Sequence, residues 1–304
     1  MINLRLLWTW DHCTQWTAAR AGVHDWGASN EFSGYAGDFV REYSLLLRWC
    51  GDHGIDGVVV WGLLRDGHGG AESAKQLCDV ADAAGVKILA GVGLNAYGGV
   101  FYEGSSKWSL NNHLNKHPEL YALRPDGERH IRSMPGNAPQ PMHHACPSRP
   151  ENMEYCLEGL RWLMETVPIA GVQIESGDTG VCECPLCRDR RQNPVSALSW
   201  DDMALLYGPA AEAVWSVRPD ATVVLETYSH PEPVTGGTVP GFGGGSPPWA
   251  MQCVDQFPRG AYVQWVADNV TAPRNPVPWT VQAPAGLAGN IMRAHMATWW
   301  MGRG

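Results

Sequence analysis

The sequence predicts an α/β protein with the architecture of a TIM-type (β/α)8 barrel. Short apolar segments, typical of buried parallel strands, alternate with segments whose apolar residues recur at helical spacing. Glycine-marked turns separate most of these segments, as in parallel α/β folds. The length of 304 residues also suits one large barrel of this kind.

The first strand is predicted at residues 6–10, directly before Asp11 and His12. Ionisable groups are costly to bury, so an acid at the end of a buried strand indicates a functional position. A loop over 13–35 follows, and a helix is predicted from Phe39 until Gly51.

The later elements follow the same alternation. Apolar runs predict further strands at 57–64, 86–92, 171–175, 222–226, 262–266 and 279–282. Helices are predicted through 74–81, from a capping box at Ser148-Arg149-Pro150-Glu151, and after the cap residue Ser199. The long insert between Gly93 and Pro147 is predicted to be an ordered binding loop, with a hairpin around Asp126-Gly127.

These segments give seven strands, one fewer than a complete barrel contains. We therefore expect residues 1–304 to form a single catalytic barrel domain that is truncated at its carboxyl terminus, unless the final residues hold the last strand.

Composition narrows the class of function. The net charge of −9 and the lack of a basic run argue against nucleic acid as a partner. No apolar run reaches membrane-spanning length and no leader precedes the first strand, which predicts a cytoplasmic protein without membrane contact. The 15 tryptophans favour carbohydrate, because an indole face covers the apolar face of a sugar ring. Assembly as a homo-oligomer is left open.

The carboxyl ends of the strands are where a barrel of this type places its active site. That rule gathers one set of polar residues together with the long third loop: Asp11, Arg65, Asn95, Glu175, Asp178 and Glu226. Ordinary glycoside hydrolysis needs two carboxyl groups, which Glu175 and Glu226 could supply. The predicted strand at 279–282 offers no carboxylate, so the common retaining arrangement finds no support.

Histidines in the third loop offer a different proton donor. His130, His143 and His144 all lie in this loop, and imidazole titrates in the range that a general acid needs. Taken alone, each is more often a hydrogen-bonded structural residue than a catalyst. Together with Asp11 they make an imidazole–carboxylate pair a candidate.

Cysteines form the most metal-like spacing in the chain. Cys182, Cys184 and Cys187 could close a structural zinc site with Cys146 as the fourth ligand. The favoured interpretation is instead three reduced cysteines packed in a tight loop, with no cofactor. Nine cysteines without a secretory signal indicate a reducing compartment.

Four segments together resemble glycoside hydrolase family 156: Trp8-Thr9-Trp10-Asp11-His12, Val60-Trp61-Gly62-Leu63-Leu64-Arg65-Asp66, His144-Ala145-Cys146-Pro147-Ser148-Arg149-Pro150 and Glu175-Ser176-Gly177-Asp178-Thr179-Gly180. The resemblance implies an inverting exo-sialidase (neuraminidase) on a barrel fold, with an aspartate base, a histidine acid and no metal in the chemistry.

Carried onto this chain, the resemblance implies that Asp11 is the base and His130 the acid, with His143 and His144 as alternatives. The implied partner is a sialylated glycan or sialoside, whose carboxylate needs a cation. Candidate substrate-binding residues are Arg65, Asn95, Arg129, Arg132, His143, His144, Glu175 and Asp178.

Two other functions stay open from the sequence. One is another TIM-barrel glycosidase that uses Glu175 with Asp11 or Glu226. The other is a barrel that binds sugar without cleaving it.

Overall fold

The structure, a computed structural model, describes residues 4–11, 36–132, 141–176, 180–195, 198–228, 250–267 and 285–294. Several predicted features lie outside these described residues: His12, the loop at 13–35, Asp178 and the strand at 279–282.

Nine strands occur in the described ranges: β1 (Leu6–Trp10), β2 (Gly57–Trp61), β3 (Lys87–Gly93), β4 (Ile131–Arg132), β5 (Met142–His143), β6 (Gly171–Glu175), β7 (Thr222–Glu226), β8 (Tyr262–Ala267) and β9 (Gly289–Ala294). The helices described there are α1 (Ala36–Asp52), α2 (Gly70–Ala84), α3 (Leu110–Lys116), α4 (Pro150–Thr166), α5 (Pro185–Arg190), α6 (Trp200–Val217) and α7 (Ala250–Val254).

Seven of these strands form one sheet in the order β1-β2-β3-β6-β7-β8-β9, and every neighbouring pair is parallel. The barrel class predicted from the sequence is therefore confirmed, in a form that lacks a strand over the described residues. The six strands predicted for this sheet that lie in the described ranges, β1, β2, β3, β6, β7 and β8, are confirmed. The last strand of the sheet, β9, was not predicted.

The sheet is curled, because side chains from distant strands meet on its inner face. Both Trp8 Nε1 and Trp61 Nε1 donate to Gln173 Oε1, at 2.8 and 2.7 Å. Gln173 Nε2 in turn donates to Glu226 Oε2 at 2.9 Å. Arg293 on β9 lies over the Trp8 ring of β1, at 4.7 Å from the ring centroid. The two outer strands of the sheet thus approach each other around a filled interior.

The outer face of the sheet carries the main apolar core. Alternate residues such as Val58, Val60, Ile174 and Leu225 pack against the helices there, as strand periodicity requires. The predicted cap of α6 is confirmed, since the Ser199 side chain accepts a hydrogen bond from the Asp202 backbone N–H at 3.1 Å.

The start of α4 corrects the predicted capping box. The helix does begin at Pro150, but its N-cap is Arg149 and no side chain caps it. The hydroxyl of Ser148 instead accepts a hydrogen bond from Arg190 Nε at 2.9 Å and lies 3.1 Å from Cys187 Sγ. Ser148 is thus drawn away from the helix by the neighbouring cysteine loop.

The insert after β3 is ordered in its described parts. The hairpin predicted around Asp126-Gly127 is confirmed by the antiparallel bridge between Leu123 and Arg129. The short strands β4 and β5 pair antiparallel beside it, with Ile131 opposite His143. No helix in the described ranges is both long and apolar enough to cross a lipid bilayer.

Candidate active site at the carboxyl ends of the strands

Polar residues converge at the carboxyl ends of the parallel strands, as the sequence predicts. Asp11 follows β1, Arg65 follows β2, and Asn95 follows β3. Glu175 and Glu226 end β6 and β7. These five positions define one mouth of the barrel.

Asp11 is held in a buried ion pair. Its Oδ2 lies 2.7 Å from Arg65 Nε, and Arg65 Nη2 donates to its Oδ1 at 3.3 Å. His68 Nε2 lies 3.3 Å from the same Oδ2 and 2.8 Å from the Gly62 carbonyl oxygen, so both neighbours favour a proton on Nε2. Arg65 also pairs with Glu103. The aspartate is therefore rigidly oriented by two side chains.

Glycine is required beside this carboxylate. Gly62 has a φ of +75°, and a Cβ at this position would come 2.7 Å from Asp11 Cγ. The turn after β2 therefore brings the Gly62 backbone into direct contact with the Asp11 carboxyl group. A side chain at position 62 would displace Asp11 from Arg65.

Aromatic rings form one wall beneath this ion pair. Trp10 lies 5.4 Å from Trp61 and 5.4 Å from Tyr102 between ring centroids, and Tyr97 lies 5.8 Å from Trp10. The Arg65 guanidinium lies 4.6 Å from the centroid of the Tyr102 ring. Burial is the main cause that raises the pKa of Tyr102, so its hydroxyl stays neutral. Trp61 and Tyr97 are buried, so Trp10 and Tyr102 are the rings of this wall that stay partly exposed.

Glu226 is surrounded by donors on the opposite side of the barrel. Gln173 and Gln264 both donate to Oε2, and the Tyr228 backbone N–H donates to Oε1 at 2.8 Å. Arg293 Nη1 lies 3.4 Å from Oε2. Donors of this number stabilise an ionised carboxylate. Glu226 is thus better suited to anchoring its neighbours than to donating a proton.

Arg293 is a candidate site residue that the sequence did not point to. Its guanidinium is buried between two rings, 4.7 Å from the Trp8 centroid and 4.6 Å from the Tyr228 centroid. Burial alone would lower the pKa of Arg293, but Glu226, Tyr228 and Glu175 together outweigh burial, so the pKa is raised and the charge is kept. Its described polar contacts are with the Glu226 carboxylate, 3.4 Å from Nη1, and with the Tyr228 side chain.

Glu175 is buried at the end of β6, beside Tyr207. The Tyr207 hydroxyl donates to the Glu226 carbonyl oxygen at 2.5 Å and accepts from the Ser176 backbone N–H at 3.3 Å. Burial and then the Glu175 charge raise the pKa of Tyr207 well above its usual value. The phenol is therefore a neutral link between the ends of β6 and β7.

The three candidate histidines of the insert lie in different environments. His130 is half-buried and its ring stacks on His144 at 3.9 Å between centroids. His144 is buried, which lowers its pKa to about 3. His143 is buried too, and its Nδ1 lies 2.7 Å from the Tyr121 hydroxyl. A Cβ at position 180 would come 2.8 Å from His130 Cε1, so Gly180 leaves the space that this ring occupies.

The other predicted binding residues are less deeply placed. Arg129 and Arg132 are exposed, and the Arg129 guanidinium lies 5.1 Å from the Tyr121 ring centroid. Asn95 is half-buried, and its carbonyl oxygen accepts from the Ala145 backbone N–H at 2.8 Å. Asp178 lies outside the described residues.

The four cysteines considered as zinc ligands come together. The Sγ atoms of Cys146, Cys182, Cys184 and Cys187 all lie within 4.8 Å of one another, and all four residues are buried. This cluster could hold a metal ion. It also corrects the favoured sequence interpretation in one respect, because Cys146 joins the other three.

No protein-family model matches this chain, and no curated protein matches it significantly. Among solved structures, it aligns with the maltogenic α-amylase AmyB from Thermotoga neapolitana (TM-score 0.46, 13% identity, 86% of this chain and 49% of that chain). It also aligns with an α-amylase from Geobacillus thermoleovorans (TM-score 0.46, 11% identity, 74% and 46%) and a family 20 β-N-acetylglucosaminidase (TM-score 0.46, 8% identity, 87% and 46%).

The chain spans about half the length of each of these structures. At such TM-scores and identities they do not bear on its activity. The barrel is established instead by its own strand order and filled interior. The resemblance to glycoside hydrolase family 156 stays a prediction, as do its implied substrate and site residues.

Proposed function

We propose that this chain is the catalytic barrel of an exo-acting glycoside hydrolase that releases terminal sialic acid with inversion. The observation that carries the proposal is the buried Arg293 guanidinium at the mouth, which lies between the Trp8 and Tyr228 rings and 3.4 Å from a single carboxylate, that of Glu226. A sialoside bears a carboxylate on its anomeric carbon. The planar fork of an arginine is the group that best matches a carboxylate.

The surroundings of Arg293 support this role. The rings of Trp8 and Tyr228 fix the plane of the guanidinium, and Glu226 holds one end of it at 3.4 Å. The negative charge of Glu226 is partly offset by hydrogen bonds from Gln173 and the Tyr228 backbone. Glu226 therefore does not neutralise the whole positive charge of Arg293. A substrate carboxylate would then bind the remaining edge of Arg293. The aromatic wall would cover the apolar faces of the sugar.

Asp11 is the proposed base and His130 the proposed acid. In a single displacement, Asp11 takes a proton from water as the water oxygen bonds to the anomeric carbon. The bond from that carbon to the glycosidic oxygen breaks, and His130 gives its proton to the departing oxygen. Arg65 and His68 support the first role by fixing the orientation of the Asp11 carboxylate.

Accessibility favours His130 over its two neighbours as the acid. His130 is half-buried, whereas His143 and His144 are buried. A proton donor must reach the leaving oxygen directly or through one water. His143 additionally has its Nδ1 engaged by Tyr121 at 2.7 Å.

A substrate panel tests the proposal. Fluorogenic sialosides, glucosides and hexosaminides are offered to the purified chain, and NMR follows the anomer that forms first. We expect cleavage of the sialoside alone, with the inverted anomer appearing first.

Two results would contradict the proposal. Cleavage of neutral substrates with the sialoside untouched would favour a glycosidase that uses Glu175 with Asp11 or Glu226. Binding of sialic acid without turnover of any sialoside would favour a sugar-binding barrel.

A further inference from the structure

We infer that Cys146, Cys182, Cys184 and Cys187 form a structural zinc site that fastens the insert after β3 to the loop after β6. The four residues come from two separate segments of the chain and are 1%, 3%, 7% and 0% exposed. A closed set of four thiolates, with no position left for water, is typical of structural zinc rather than catalytic zinc.

The distances between the sulfur atoms fit a tetrahedral metal site. Cys146 Sγ lies 3.5 Å from Cys187 Sγ and 3.7 Å from Cys184 Sγ. Four thiolates at Zn–S bonds of about 2.3 Å place their sulfur atoms about 3.8 Å apart. A disulfide would require about 2.05 Å, so none of these contacts is a covalent S–S bond.

Polar groups around the cluster suit thiolates. The Leu123 backbone N–H donates to Cys182 Sγ at 3.4 Å, and the Ser148 hydroxyl lies 3.1 Å from Cys187 Sγ. Arg191 Nη1 donates to the Cys182 carbonyl oxygen at 2.6 Å, which brings a positive charge beside the cluster. Metal ligands are held in place by such outer contacts, and thiolates carry excess negative charge that nearby donors offset.

The site would connect directly to His130. Ala122 packs against the cysteines, and its carbonyl oxygen accepts from the His130 backbone N–H at 2.7 Å. On the other segment, Gly180 stands two residues before Cys182 and makes room for the His130 ring. One metal ion would therefore fix both walls of the cleft that holds this histidine. Binding replaces the protons of the four thiols by one Zn²⁺ ion.

The experiment measures metal in the purified full chain by mass spectrometry, before and after addition of Zn²⁺. We expect one zinc ion per chain, lost in Cys184→Ser and retained in Cys78→Ser. Cys78 is a matched control, because it is also 7% exposed and lies on α2, away from the cluster. Cobalt substitution gives a second readout, since a tetrahedral tetrathiolate Co²⁺ site has intense visible and charge-transfer absorption.

A wild-type measurement keeps the inference testable if Cys184→Ser does not fold. Titration of the native chain with a mercurial reagent should release one zinc ion as four thiols react, and chelation should lower the melting temperature. A wild-type chain that binds no zinc even when supplied with it, or that holds iron, would overturn the inference. So would full zinc content in Cys184→Ser.

Discussion

Two buried arginines face the mouth of this barrel, and their surroundings differ. Arg65 is committed to two carboxylates, those of Asp11 and Glu103, and lies over one ring, that of Tyr102. Arg293 has a single carboxylate at 3.4 Å and is held mainly by ring faces on both sides. An arginine whose donors are filled by the protein positions its partners. We expect an arginine held by ring faces to offer one edge of its guanidinium to an anionic ligand.

The comparison assigns each side of the barrel a different task. The β1–β2 side orients Asp11, whereas in the proposed function the β7–β9 side would supply charge for an anionic substrate. The insert after β3 carries His130, the proposed acid. The following experiments separate these tasks, from the largest expected effect to the smallest.

The largest effect is expected from Asp11→Asn. Loss of the base should lower kcat on a sialoside by roughly 10²–10⁴-fold. Breaking the buried pair with Arg65 should also lower the free energy of unfolding by about 3 kcal/mol. Steady-state kinetics and urea denaturation measure the two effects separately.

Glu103→Gln is the matched control for Asp11→Asn. It removes the other carboxylate on Arg65 without touching the proposed base. Stability should fall while kcat stays close to that of the wild type. Equal losses of kcat in both variants would mean that Asp11 acts through Arg65 and is not the base.

The next effect concerns the acid. His130→Ala should lower kcat/KM roughly 10²–10³-fold for a sialoside with a poor leaving group, and far less for an activated one, because only the former needs the proton. His143→Ala and His144→Ala are the comparisons. If either shows this dependence on the leaving group while His130→Ala does not, the acid has been assigned to the wrong imidazole.

An effect on stability rather than on rate is expected from Arg65→Met. Asp11 and Glu103 would remain buried without their partner, which should cost about 3–5 kcal/mol in the free energy of unfolding. Arg5→Met removes an exposed ion pair with Asp56 and should cost less than about 1 kcal/mol. Denaturant titration of both variants compares them. A neutral result for Arg65→Met would show that the pair is not needed for the fold.

The smallest effect is a pH dependence in the insert. Burial lowers the pKa of His143 below its usual value, so the unfolded chain takes up a proton at a higher pH than the folded chain does. Stability should therefore decline as pH falls below about 6.5. His143→Gln should make this decline less steep between pH 8 and pH 5.5 in denaturation midpoints, and the lowered pKa of His144 accounts for part of the decline that remains. An unchanged slope would assign the dependence to another group.

Most of the barrel could be predicted because its strands are continuous apolar runs. The strands that end at Asp11, Glu175 and Glu226 were predicted directly from their apolar residues. The parallel topology alone then brings those three acids to one mouth of the barrel. The ion pair between Asp11 and Arg65 could not be predicted, because no sequence pattern fixes the distance between two residues at the ends of different strands.

Arg293 was missed for a specific reason. Its strand, β9, reads Gly-Asn-Ile-Met-Arg-Ala, which contains only two consecutive large apolar residues and no β-branched run. The pattern of Trp279-Thr280-Val281-Gln282 was the stronger strand signal, and it lies outside the described residues. Ile291 and Arg293 share the inner face by alternation, a signal that is visible only once the strand is known.

The most direct measurement compares the binding of sialic acid with that of its C1 carboxamide by calorimetry. The carboxamide keeps the sugar but removes the negative charge. The wild-type chain should bind the acid at least tenfold more tightly, Arg293→Gln should lose this preference, and Glu103→Gln should retain it. If Arg293→Gln still prefers the acid as strongly as the wild type does, Arg293 does not receive the carboxylate and the sialidase proposal loses its main support.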